Sequence, residues 1–390
     1  MSALAAALRR AAVTVLFSAA APAFAAGPEA ALSGVLSALE ASRLELALER
    51  VEALLAAHPN FRLAHLIRGD LLTARARPLE TFGNVPKTVP RDKVEDLRAE
   101  ALSRLRALRE RPAGGVVPRY VLQLQAEQKH ALVVDSRRSR LYVFENAGGR
   151  PRFVADYYVT LGKNGVEKTR QGDQKTPIGV YHVTANLPRR KLADFYGAGA
   201  FPINYPNAWD RSLGRNGHGI WLHGTPTDTY SRPPRASDGC LVLANADLES
   251  VAPALQIGLT PVIIADEIEW TQAAALESER RGLGEALAAW RTDWESRDSE
   301  RYLGHYSRRF HSDGQDLAAW SAHKRRVNAG KRWIKVGVRR LAMFRYPREN
   351  FVVVSFEQDY RSSNLSNVMR KRQYWMQEDG RWRILYEGGA

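Results

Sequence analysis

Cys240 is the single cysteine in a chain of 390 residues, and it stands in the string Ser237-Asp-Gly-Cys240. One thiol cannot close an internal disulfide, so its presence asks for a reason: a reactive group, a small buried side chain, or a pairing between chains. Seventeen positions upstream is His223, within Gly219-Ile-Trp-Leu-His-Gly224. An imidazole that takes the proton of a thiol produces a nucleophile able to attack an acyl carbon. The pair is therefore sufficient for acyl transfer through a thioester, provided a loop between adjacent strands brings the two together. No metal or organic cofactor is required by that chemistry.

Strand parity chooses between two histidines. In the run 217–224, Ile220 and Leu222 alternate with Gly219, Trp221 and His223. Period two puts His218 on the Ile220/Leu222 face, which is expected to be core, and sends His223 the other way. After the thiol, Leu241 and Leu243 alternate with Cys240, Val242 and Ala244 in the same fashion. Gly239 permits a tight turn that can aim backbone N–H groups at a developing oxyanion.

These residues, with Gly172-Asp-Gln-Lys-Thr-Pro-Ile-Gly-Val-Tyr181 upstream, resemble the YkuD-type L,D-transpeptidases of bacterial cell walls over roughly residues 130–266. The resemblance implies Cys240 as nucleophile and His223 as its base. Ser237, Asp238, Gly239 and Gly224 would support the loop, and N–H groups around Gly239 and Cys240 would form the oxyanion hole. The substrate would be peptidoglycan stem peptides. Two positions depart from the family pattern: Asp238 stands where histidine is common, and Val242 where arginine is common. Asp238 is expected to raise the thiol pKa. The missing arginine leaves recognition of a carboxylate to Arg232 or Arg235, with Trp221, Asn204 and Tyr205 as further candidate substrate contacts. Three outcomes share this site: transpeptidation, L,D-carboxypeptidase trimming of tetrapeptide stems, or murein binding without catalysis.

The elements that must position this site follow from pattern. Residues 1–25 carry Arg9 and Arg10, a short apolar run and Ala23-Phe-Ala25, the order of a secretory signal peptide. The expected location is the periplasm, with no transmembrane segment after cleavage. The formal charge of +15 suits an anionic partner, but export argues against nucleic acid. Residues 26–115 read as helical. Leu44, Leu48, Val51 and Leu55 recur at helical steps, His58-Pro-Asn60 breaks them, and a further helix is expected over 92–109. The helix–Pro–helix pattern is similar to a tetratricopeptide hairpin, a candidate docking arm for a protein partner or a cap on the next domain.

From Leu122 the period becomes that of strands, and 122–268 is expected to form a mainly-β catalytic domain. Within it, 186–216 reads as a long irregular insertion, with 192–207 as a lid or substrate wall, and Asn245 as a helix cap. The tail, 272–390, carries an apolar stripe through Leu283, Leu287, Trp290 and Trp294, then alternating strands closed by an Asp379-Gly380 turn. Helices followed by a curved antiparallel sheet resemble the NTF2-like cone, whose pocket is a candidate for glycan or peptide. The spacing of His305, His311 and His323 supports no metal site. The whole chain is thus expected to be a multidomain α+β protein.

Overall fold

The computed structural model describes residues 28–389 apart from 86, 87, 89 and 313, so the expected signal peptide lies outside the described residues. Helices α1 (Pro28–Glu40), α2 (Leu44–Ala57), α3 (Arg62–Ala74) and α4 (Arg91–Arg109) form the N-terminal unit. The face of α2 that carries Leu48, Val51 and Leu55 is buried against Leu63, Ile67 and Leu71 of α3. The α2 helix stops at His58, whose N–H closes on the Leu54 carbonyl at 2.9 Å before Pro59. Buried on α4, Arg104 is held by Glu100 at 2.8 Å and by Glu29 of α1.

Two short strands follow, β1 (Val116–Pro118) and β2 (Val121–Gln123). The catalytic-type unit then contains β3 (His130–Asp135), β4 (Arg140–Ala147), β5 (Arg150–Tyr158), β6 (Leu161–Gly162), β7 (Gly179–His182), β8 (Ala200–Pro202), α5 (Ala208–Ser212), β9 (Trp221–His223), β10 (Arg235–Ser237), β11 (Leu241–Val242), α6 (Asn245–Val251) and β12 (Pro261–Ala265). Its main sheet has the order β5-β4-β3-β12-β7, antiparallel except where β3 and β12 run parallel. All six residues of β3 are buried because both faces are covered. Leu132 and Val134 face the core of this unit, while Ala131 and Val133 face Ala342 and Phe344 of the C-terminal unit.

That last unit comprises β13 (Trp270–Gln272), α7 (Ala273–Ser296), α8 (Ser299–Leu303), β14 (His311–Ser312), β15 (Gln315–Asp316), α9 (Leu317–Ala329), β16 (Ile334–Arg345), β17 (Phe351–Ser362), β18 (Leu365–Glu378) and β19 (Arg381–Gly389). Leu283, Leu287, Trp290 and Trp294 of α7 pack on Val352, Val354 and Phe356 of β17, the alternation read from the sequence. Asp379 and Gly380 both take positive φ, 51° and 71°, which closes the β18–β19 hairpin.

The boundary between the two units is less simple than the pattern suggests. Val121–Gln123, expected to open the catalytic domain, is instead the edge strand of the C-terminal sheet, whose order is β19-β18-β17-β16-β2. Pairing of β1 with β13 ties the same linker to the entrance of α7. A second tie comes from α5, whose Trp209 is buried against Phe351 and Tyr374 at 4.7 and 5.7 Å between ring centroids, its Nε1 donating to Glu349 at 3.1 Å. The insertion 186–216 is accordingly not structureless: it supplies two 3-10 turns, β8 and α5. Among the described residues, no helix is long and apolar enough to cross a membrane.

Candidate functional site

A small sheet of order β11-β9-β8 builds the site. Parallel pairing sets Leu241 opposite Leu222 and Val242 opposite His223. Paired residues of a parallel ladder share a face, and the two leucines are fully buried in the core. Alternation within β9 then places Trp221 and His223 on the opposite face, and Cys240, one residue before β11, is tied to the entrance of β9 by the hydrogen bond of its thiol to the Gly219 carbonyl. The other histidine departs from expectation: His218 precedes the strand, is exposed, and lies 3.4 Å from the Gln171 amide. Parity applies only within a strand, and β9 begins at Trp221.

The loop that carries the thiol is closed on itself. Ser237 Oγ accepts from the Gly239 N–H at 3.1 Å and donates to the Cys240 carbonyl at 2.7 Å. The Gly239 N–H is therefore turned inward, which corrects its expected role as an oxyanion donor; the Cys240 N–H makes no hydrogen bond among the described residues. Thr176 fixes the other side of the loop, its buried hydroxyl donating to the Gly239 carbonyl at 3.0 Å and accepting from Gly162 N–H at 2.9 Å. Gly239 sits at φ +121°, and a Cβ there would come 2.6 Å from the Lys175 carbonyl oxygen. The motif 172–181 thus acts as a buttress. Its Asp173 is held by the buried Lys168 at 2.7 Å. Burial alone would raise that carboxyl, but Lys168 and the N–H groups of Arg170, Thr169 and Lys175 bring it down to about 2.

The half-buried thiol donates to the Gly219 carbonyl at 3.3 Å. Burial pushes its pKa up. A backbone hydrogen bond from Trp221 and the charges of Arg232 and Lys168 pull it down, while Asp238 raises it as the sequence suggested. Asp238 is exposed and shared between Lys163 and Gln174, each at 3.0 Å, which moderates its field. His223 is almost fully buried, and burial brings its pKa down to about 4, with Arg232 adding to the fall. Its Nδ1 lies 2.7 Å from the Gly224 carbonyl, which can only accept. That bond assigns the proton to Nδ1 and leaves Nε2 as the basic nitrogen. At neutral pH the site rests as thiol and neutral imidazole.

Aromatic rings wall the imidazole. Phe195 and Tyr196 lie 5.8 and 5.2 Å from it, and Tyr196 also packs on Trp221 at 4.9 Å. Part of the segment 192–207 therefore does line the site, but not through the residues singled out. Tyr205 is buried, donating to the Asn216 carbonyl at 3.1 Å, and Asn204 accepts from the His182 N–H at 2.7 Å. Of the two arginines, Arg235 donates to the Ser136 carbonyl at 3.0 Å. Arg232 stands over Phe195 at 4.5 Å and acts electrostatically on both Cys240 and His223. Its carbonyl is pinned by Tyr158 and Thr160 hydroxyls, each at 3.0 Å.

Asn245 also departs from expectation. It starts α6 rather than capping it, and its side chain reaches back to accept from Ala198 N–H at 2.8 Å and donate to the Thr225 carbonyl at 2.8 Å. The aromatic wall and the histidine loop are joined through that amide. Gly224 is needed for the same reason, since a Cβ would overlap Asn245 Oδ1. The sequence carried Asn245 as a helix-start signal, and nothing local distinguished the two uses. Among the described residues, no group of three or more His, Cys, Asp or Glu side chains is placed to hold a metal ion.

Comparison with known proteins agrees with this architecture. Residues 129–264 match the L,D-transpeptidase catalytic domain YkuD, and residues 282–388 match the Cds6 C-terminal NTF2-like domain. The putative L,D-transpeptidase YafK of Escherichia coli K12 is 25% identical over 150 residues, which is 38% of this chain and 59% of that protein. Bd1075 of Bdellovibrio bacteriovorus is similar in structure, with 27% identity and a TM-score of 0.61 over 70% of this chain and 98% of that one. The helical cell shape determining protein Pgp2 of Campylobacter jejuni shares the fold at 24% identity, with a TM-score of 0.60 over 70% and 95% of the two chains. The chain is thus an α+β protein that joins N-terminal helices, a YkuD-type L,D-transpeptidase domain and a C-terminal NTF2-like domain.

Proposed function

We propose that the protein is a cysteine-dependent L,D-transpeptidase of the cell envelope, acting on tetrapeptide stems of peptidoglycan in cell-wall remodelling and cell shape. The observation that supports this reading is the register of β9 and β11, which pairs Val242 with His223 two residues after Cys240, whose thiol is hydrogen-bonded to the Gly219 carbonyl just before β9. The shape-determining role named for Pgp2, which shares the fold, supports the biological setting. The periplasm is the compartment in which such a substrate is met, and residues 1–25 provide the export signal. The N-terminal helices provide a surface for a protein partner.

The chemistry begins with the thiol leaving the Gly219 carbonyl for His223 Nε2, which takes its proton. The sulfur attacks the carbonyl carbon between the diamino acid and the terminal D-residue, and the Cys240 N–H donates to the oxyanion. Collapse breaks the C–N bond, and the imidazolium returns its proton to the departing amine. A thioester remains on Cys240. An amine from a second stem then attacks it, giving a cross-link and restoring the thiol; water in the same place would give a tripeptide stem. Arg232, half-buried and without an ion pair among the described residues, is suited to hold a stem carboxylate. No cofactor enters any step.

The test is to incubate the purified protein with tetrapeptide muropeptides and separate the products. Cross-linked dimers that vanish with Cys240→Ala are expected. Tripeptide stems alone would replace the transfer reading with trimming, and unchanged substrate would remove the enzymatic reading.

A further inference from the structure

A cavity of about 190 Å³ lies between the two β-rich units, away from the residues around the thiol. Its catalytic-side wall comes from β7 and from Asn204, and its other wall is the outer face of β16–β18, opposite the face that packs on α7. The charges on that face do not cancel. Glu357 is engaged by Arg339 at 3.1 Å and Arg340 at 3.2 Å, and Arg340 is further held by Glu127 at 3.0 Å. Arg370 stands directly across the ladder from Glu357, yet that carboxylate is already taken. The side chains of Arg370 and the half-buried Arg372 make no ion pair or hydrogen bond among the described residues. Arg370 is exposed and Arg372 half-buried, so both guanidinium groups at this cavity are open to an anion from solvent.

The remaining lining fits the same kind of guest. Asn204 uses its Oδ1 on the His182 N–H, and its Nδ2 makes no hydrogen bond among the described residues. His182 is driven down to about 4, first by burial and then by Arg372 and Arg370, so it adds no third positive charge at neutral pH. Tyr374 and Phe344 supply an aromatic floor. Arginine pairs and a free amide match the planar or tetrahedral oxygens of carboxylate and phosphate, and repel cations.

We propose that this interdomain cavity is a binding site for a small ligand bearing an oxyanion, clasped by Arg370 and Arg372 with Asn204 donating beside them. The proposal is independent of catalysis at Cys240. Asn204, singled out from the sequence as a substrate contact, then serves a ligand, but at this second site.

Two probes distinguish the sources of such an oxyanion: inorganic phosphate, and a stem tripeptide ending in a diamino acid. Each is titrated calorimetrically into the full-length protein. At least one is expected to bind saturably at one equivalent, more weakly as salt rises, and at least about tenfold more weakly to the Arg370→Ala/Arg372→Ala protein. Arg232→Ala, which alters the thiol site, is expected to leave phosphate binding unchanged and to keep the component of tripeptide binding that the double variant loses. Binding of phosphate alone assigns a phosphate group, and binding of the tripeptide alone assigns a carboxylate. Absence of saturable binding for both, or a double variant that binds like the wild type, overturns the proposal. Should circular dichroism show the double variant misfolded, Arg372→Gln carries the same comparison.

Discussion

The thiol site and the interior of the NTF2-like unit both bury groups able to ionise, and they settle the charge in opposite ways. Around Cys240, burial raises the thiol and lowers the imidazole, so both rest uncharged. Inside the C-terminal cone, Glu387 meets Lys371 at 2.5 Å, Gln373 at 2.8 Å and the Tyr306 hydroxyl at 2.9 Å. Burial alone would raise Glu387, but Lys371 and Lys324 hold it below its ordinary range. Burial also pushes Lys324 down to about 8, and its ammonium stands 4.2 Å over the Trp320 ring. The contrast teaches that depth does not decide ionisation; the presence of a satisfied counter-charge does. A neutral pair keeps a proton ready to move, whereas a paired charge holds two strands and a helix in place.

Breaking the first cluster should cost the most. His223→Ala is expected to lower the rate of thioester formation by about 10²–10⁴, the usual contribution of a positioned base, with the melting profile largely kept. Unchanged kinetics would mean that another group takes the proton. Breaking the second cluster should act on stability instead. Glu387→Ala leaves Lys371 buried without its partner and is expected to cost about 3–5 kcal/mol in urea unfolding, while alkylation of Cys240 proceeds at the wild-type rate. A fall in alkylation equal to that of His223→Ala would erase the distinction between the two regions. The smallest effect sharpens it: Thr176→Val strips two buried backbone groups of their partner, Gly162 N–H and Gly239 C=O, without touching a charge. A loss of about 1–3 kcal/mol is expected, together with a thiol loop less able to hold Cys240 in register. Wild-type stability in that variant would show that the loop does not depend on the buttress.

Periodicity revealed a good deal of this. The alternation of Ile220 and Leu222 with His223, and the burial of Leu241 opposite Leu222, were legible because period two is a property of the strand itself. The helix over 92–109 and the Asp379-Gly380 turn were legible for the same local reason. What remained hidden was the identity of partners distant in sequence. Val121–Gln123 reads as a strand but does not say which sheet it joins, and it pairs 220 positions downstream with Met343. Trp209 lies in a stretch that looked irregular, and although Asn207 and Asp210 cap its short helix locally, the ring is seated by Phe351 and Tyr374, far away in sequence. Asn245 carried a cap signal that the Ala198 and Thr225 backbones outbid. His218 shows the converse limit, since extending an alternation past the end of a strand gave a wrong face.

The most direct test follows the first chemical step itself. Wild-type protein is mixed with a tetrapeptide stem at a series of pH values, quenched in acid, and the intact mass is read for the added acyl group on Cys240. Because a neutral His223 is required and its pKa is held down to about 4, the rate should be flat through pH 6.5 and fall only as pH drops toward 4. An acid limb at the ordinary histidine value near 6.5, or the absence of any adduct on Cys240, would contradict the account.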